Sequence, residues 1–197
     1  MHTVFERRPL FLMERGSDRG GVLSVTLTAN STFAELIVKV DELFDLCVEA
    51  IELAGQLNIA ELQPILDAKP LLARFKDTAH EIEKLKINHL PIIGIGKYVH
   101  EIQEGEDCLR LFIKQCKSLP CPLSCIGSFP PLRNYVLKKL PDLTPIHKAN
   151  AAYKELDASV KQLQAVASVS GGSPAKMVGG VMEALGGLFG KKPSISS

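Results

Sequence analysis

The chain contains no tryptophan and only three tyrosines in 197 residues, so it is poor in the flat side chains on which bases or sugars stack. It also lacks a charge surplus. Lys and Arg number 23 against 22 Asp and Glu, a formal net charge of +1, which argues against a nonspecific nucleic-acid binder that must neutralise many phosphates. No apolar run approaches the roughly 18 residues of a spanning helix. The N-terminal apolar run, PLFLM at 9–13, is shorter than a signal-peptide core. The expectation is a cytoplasmic protein that is at most peripheral to a membrane. Five cysteines (Cys47, Cys108, Cys116, Cys121 and Cys125), an odd number with no secretory signal, give no disulfide framework.

Catalytic and metal-binding signatures are missing as well. HEIEK at 80–84 resembles the zinc-protease helix, but Lys84 stands where the second histidine belongs, and an ammonium cannot ligate a metal. HEIQE at 100–104 fails in the same way at Glu104. Neither histidine sits in the Glu-x-x-His step of carboxylate-bridged di-metal bundles. GIGK at 94–97 has Pro91 where a phosphate loop needs its first glycine, and Tyr98 where it needs a serine or threonine. No Gly-x-Ser-x-Gly elbow occurs. The chain is therefore read as a non-enzyme without cofactor or metal.

What is present is ordinary globular composition, 46% hydrophobic and 23% charged. Three regions are expected. Residues 1–30 form a β element, because Leu23, Val25 and Leu27 alternate with Ser24, Thr26 and Thr28, with PLFLM as a hairpin partner. Residues 31–169 form an all-α domain, an antiparallel bundle of about four long helices, since only mutual packing buries several apolar stripes at once.

The first helix opens on a capping box, Thr32 and Glu35. It carries the stripe Phe33, Leu36, Ile37, Val40, Phe44, Cys47, Ile51 and Ala54. Its opposite face is acidic: Asp41, Glu42, Asp45, Glu49 and Glu52. Asn58 and Glu61 suggest a second helix start, with a short piece and a kink before a longer helix that opens at Pro70. That helix presents Leu71, Leu72, Phe75, Ala79, Ile82 and Leu85. A third helix turns Tyr98, Ile102, Leu109, Phe112, Ile113 and Cys116 inward, with Gly105 as a thin spot. Residues 118–134, with four prolines, read as a long loop. LRNYVLKKL then suggests a short helix before Pro141. A last helix starts at Thr144 and Pro145, and Ile146, Ala149, Tyr153, Leu156, Val160, Leu163 and Ala167 form its seam.

Residues 170–197 are a Gly-rich spacer followed by an amphipathic tail. On a helical wheel Met177, Val181, Met182, Leu185, Leu188 and Phe189 share one side, bracketed at the end by Lys191 and Lys192. Five glycines between 179 and 190 each cost about 1 kcal/mol against alanine in a helix. Such a helix needs a compensating surface: an anionic membrane, where each lysine contributes roughly 1 kcal/mol, or a protein groove. In CKSLPCPLSC, 116–125, Cys116 occupies a core position, while Cys121 and Cys125 beside Lys114 and Lys117 are candidate acylation sites.

These features point to a helical-bundle adaptor or interaction module, peripheral at a membrane through its tail. Its partners would be a protein, a second copy of itself, or an anionic membrane surface, and no nucleic acid. The alternative is a membrane-permeabilising or lipid-handling protein, since the layout is similar to the helical membrane-perturbing domains of cell-death and toxin systems. In that case Pro64, Pro70 and Gly105 would be the yielding points.

Overall fold

A computed structural model describes residues 25–85, 87–126 and 128–169. It is all-α, with no strand among the described residues. In chain order the helices are α1 (Phe33–Leu57), α2 (Gln63–Lys84), α3 (Gly96–Lys117), α4 (Leu123–Ile126), α5 (Pro130–Leu137) and α6 (Thr144–Val169). A single 3-10 turn, Ala60–Leu62, precedes α2. Helix α1 packs on α2, α2 on α6, α6 on α3 and α3 on α1, so the contacts of the four long helices form a closed ring.

Helix α1 begins as its capping box dictates: Glu35 N donates to Thr32 Oγ1 at 3.3 Å, and Thr32 N to Glu35 Oε2 at 3.0 Å. The segment before α3 completes this cap, with Phe33 N donating to Leu90 O and Ala34 N to Asn88 O at 2.8 Å. Two otherwise orphaned donors are thereby satisfied. Asn58 does not open a second helix. It is the C-cap of α1 in the left-handed region (φ 50°), and its N–H closes on Ala54 O. Asparagine tolerates that conformation because its short polar side chain bonds locally. The buried stripe of α1 also runs through Leu43 and Ala50, while Phe44 and Ile51 are half-buried, a small rotation from the expected face.

Of the expected β element only residues 25–30 are described. Residues 25–28 form no strand; Val25 N donates to Glu42 Oε1, and Leu27 is buried against α1 and its neighbours. The remainder of the expected hairpin, and the whole of 170–197, lie outside the described residues.

Proline 70 does not start a helix but sits inside α2, which opens instead with Pro64 in its first turn. An interior proline costs about 3 kcal/mol. Here Ala68, Leu72, Phe75, Ala79 and Ile82 are all buried against α1 and α6. Burying a Leu, Ile or Phe side chain is worth roughly 1.5–3 kcal/mol, so packing carries the helix through Pro70. The expected 118–134 loop is shorter than anticipated: α4 and α5 occupy much of it, and Pro130 takes the first-turn position of α5. Gly105 is a close-approach site rather than a thin spot, because a Cβ there would collide with the Ala149 Cβ of α6. The seam of α6 is buried at all seven expected positions.

The interior holds ions that periodicity missed. Lys39 of α1 and Glu106 of α3, each 2% exposed, pair at 2.5 Å. Arg110 reaches the same carboxylate at 2.7 Å, and Glu42 approaches Lys39 at 3.4 Å. Between α2 and α6, buried Asp157 accepts from Thr78 Oγ1 at 3.2 Å and from Lys161 at 2.8 Å. Asn150 Nδ2 donates to Pro64 O at 3.0 Å.

Candidate functional site

The last turn of α3 carries Lys114 and Lys117, whose charges suit the negative end of the helix. Ser118 Oγ closes that end by donating to Lys114 O at 2.7 Å. The chain then folds back through α4 and α5, anchored by Ile126 and Val136, which are buried in the same interior cluster as Phe112 and Cys116. With one face of α5 so anchored, Tyr135 and Lys139 fall outward.

The result is a groove of about 400 Å³ lined by Leu111, Lys114, Gln115, Ser118, Tyr135 and Lys139, among others. Leu111 and Tyr135 in its walls, and Phe129 at the start of α5 outside it, are large apolar groups held in water. Phe129 is 54% exposed, Tyr135 47% and Leu111 44%, half of the large exposed apolar side chains among the described residues. The Lys139 ammonium lies 5.7 Å from the Tyr135 ring centroid, within cation–π range. Gln115 Oε1 is buried without a hydrogen-bond partner among the described residues.

Charge around this groove is one-sided. Residues 108–141 contain Arg110, Lys114, Lys117, Arg133, Lys138 and Lys139 and no acidic residue, whereas residues 25–107 contain 15 acidic and seven basic ones. Three of the six cations are paired across the fold: Arg110 with Glu106, Lys117 with Glu49 and Arg133 with Glu61. Lys114, Lys138 and Lys139 have no carboxylate at ion-pair distance among the described residues.

A larger groove, about 510 Å³, runs between α3 and α6 past Lys97, His100, Glu101, Glu104, Lys148 and Glu155. Its charges answer one another. Lys97 bonds Glu155 at 3.2 Å, and both His100 and Lys148 approach Glu104. Glu101 Oε2, however, is buried without a partner among the described residues, and with three carboxylates against two lysines the groove leans acidic. His80 is a surface link rather than a ligand. Its Nε2 meets Asp41 at 3.1 Å, which raises its pKa, and Lys76 meets the same carboxylate at 3.1 Å. Burial pushes Asp41 up, but the His80 and Lys76 bonds outweigh it and hold the carboxyl below its ordinary range. Among the described residues no three His, Cys, Asp or Glu side chains converge as a metal set.

The cysteines divide by burial. The thiols of Cys47, Cys108 and Cys116 are buried and pushed up to about 11, by desolvation in each case. Cys108 Sγ donates to Asp142 O at 3.1 Å. Cys121 is half-buried, and Cys125 is exposed on α4. Of the two candidate acylation positions, Cys125 thus offers the open thiol.

The expected tail contacts Met177, Val181, Met182, Leu185, Leu188, Phe189, Lys191 and Lys192 lie outside the described residues. The acidic face of α1 is partly spent within the fold: Asp41, Glu42 and Glu49 have internal partners, while Asp45 and Glu52 remain exposed. Sequence reasoning missed the groove of Leu111, Lys114, Tyr135 and Lys139. The signal that could have found it is the acid-free run from 108 to 141.

No helix among the described residues is long and apolar enough to cross a membrane. Compared with known proteins, the chain matches no family model, no curated protein and no solved structure.

Proposed function

We propose that this chain is a non-enzymatic, antiparallel helical-bundle interaction module that works peripherally at an anionic membrane surface. One observation carries the reading: a single stretch, 108–141, gathers six cations and no acid, and exposes large apolar side chains among them. Apolar groups sink into the headgroup boundary while neighbouring lysines meet anionic lipid, which is the division of labour of a surface-bound element. The amphipathic tail, with Met177, Val181, Met182, Leu185, Leu188 and Phe189 ahead of Lys191 and Lys192, supplies a second contact of the same chemistry. The larger α3–α6 groove offers no comparable attraction to an anionic surface, because its three carboxylates outnumber its two lysines.

The test is co-sedimentation of the full chain with vesicles of neutral lipid, and with the same vesicles containing anionic lipid. Binding that requires the anionic lipid and weakens with salt supports the proposal. A chain that stays in solution with both overturns it. Vesicles loaded with dye report the rival activity: sealed vesicles fit a peripheral module, and release of dye replaces that reading with a permeabilising one.

A further inference from the structure

We infer that the face built by the last turns of α3 and by α5 is the membrane-docking face, and that its groove seats the phosphate-bearing headgroup of an anionic lipid. This rests on the peripheral-membrane reading and deepens it, by locating the contact within the folded helices rather than in the tail.

Two features converge on this face. Lys114 and Lys139 line one groove, Lys138 adjoins it in sequence, and all three lack a carboxylate partner among the described residues. Helix-end placement explains Lys114 through the helix dipole, but it does not explain apolar Leu111 and Tyr135 standing exposed beside it. Aromatic side chains with one polar end favour the membrane–water boundary, where ring and hydroxyl are both satisfied. An acidic polypeptide would satisfy the lysines too, but it gives no reason for an aromatic ring and a leucine to flank them at the surface.

The experiment uses the full chain and three variants. The first combines Lys114→Gln, Lys138→Gln and Lys139→Gln. The second combines Phe129→Ser and Tyr135→Ser. The third, a control of equal charge change, combines Lys97→Gln, Lys148→Gln and Lys154→Gln. All of these positions are exposed, and circular dichroism melting verifies that each variant is folded. Each lysine at an anionic surface is worth about a five-fold change in partitioning. The first variant should therefore lose on the order of a hundred-fold in binding to vesicles containing phosphatidylserine. The second should lose about ten-fold or more through its buried apolar area. The control should lose much less than the first. If the first variant and the control weaken equally, net charge alone is responsible and the docking face is refuted. If the parent chain binds while both face variants bind as it does, the inference falls but the peripheral reading stands, with the tail as the contact. If the parent chain ignores vesicles yet is retained by polyglutamate through Lys114, Lys138 and Lys139, the face belongs to an acidic polypeptide and both readings fall.

Discussion

Replacing Lys39 by methionine should destabilise the fold by about 3 kcal/mol, because it strands the Glu106 carboxylate. Removing one partner of a buried ion pair costs roughly 3–5 kcal/mol, most of it the penalty of an uncompensated charge. The lower end applies here, since Arg110 still reaches Glu106 through Nε at 3.0 Å and through its second nitrogen at 2.7 Å. For a chain of this size that corresponds to a fall of roughly 6–12 °C in melting temperature. Replacing both residues, Lys39→Met with Glu106→Leu, removes the stranded charge. It should return stability to within about 1 kcal/mol of the parent. Urea unfolding of the four proteins closes the double-mutant cycle, with an expected coupling of about 2 kcal/mol or more.

Acid titration adds an independent reading. Burial pushes Glu106 up, but Lys39 and Arg110 outweigh it and hold the carboxyl below its ordinary value. A depressed carboxylate contributes stability above its unfolded value, about 4.3, and loses it as pH falls through the folded value. The double variant should show a shallower loss of stability below about pH 4. A single variant that costs under about 1 kcal/mol, or a double variant that costs the sum of the two singles, refutes the reasoning.

Three further outcomes follow from the packing. Gly105→Ala should destabilise by about 1–3 kcal/mol through collision with Ala149, whereas Gly55→Ala, with open space around it, should stabilise by up to about 1 kcal/mol; urea midpoints moving in the same direction would contradict this. The His80–Asp41 link should favour the fold fully below the ordinary histidine value of about 6.5, then fade as pH rises through the raised value of His80. His80→Gln should flatten that part of the melting-temperature profile, and an unchanged profile would remove the link as a contributor. With a small thiol reagent in native buffer, Cys125 should react first and Cys121 more slowly, while Cys47, Cys108 and Cys116 wait for unfolding; equal rates at all five would contradict the burial described.

The helices were legible wherever one local signal and one periodic signal agreed. Thr32 with Glu35 marked the start of α1, and the seven seam positions of α6 all proved buried. Failures came where a local rule met a tertiary one. Pro70 reads as a helix start, yet it lies within α2 because the stripe on either side of it is buried on two neighbours. Asn58 suits an N-cap and a left-handed C-cap equally well, and only the Ala54 carbonyl decided between them. Lys39, Glu106 and Asp157 look like solvent positions in the sequence, because what neutralises each comes in part from another helix. The groove of Leu111 and Tyr135 escaped notice for a related reason: its walls come from separate segments, one ending at Pro120 and the other beginning at Tyr135.

The interior is divided along its length. One apolar compartment joins the first half of α1 to α2, the start of α3 and α6 from Ala149 to Leu163, and the other joins the later half of α1 and Ile65 of α2 to the end of α3, α4, α5 and Ile146. Ile51 is packed against both. Since α4 and α5 belong only to the second compartment, they can detach without dismantling the first. Their backbone amides should therefore exchange with solvent through a sub-global opening of lower free energy than complete unfolding. Whatever occupies the α3–α5 groove would then suppress exchange there first, leaving the slowest amides of α2 and α6 unaffected.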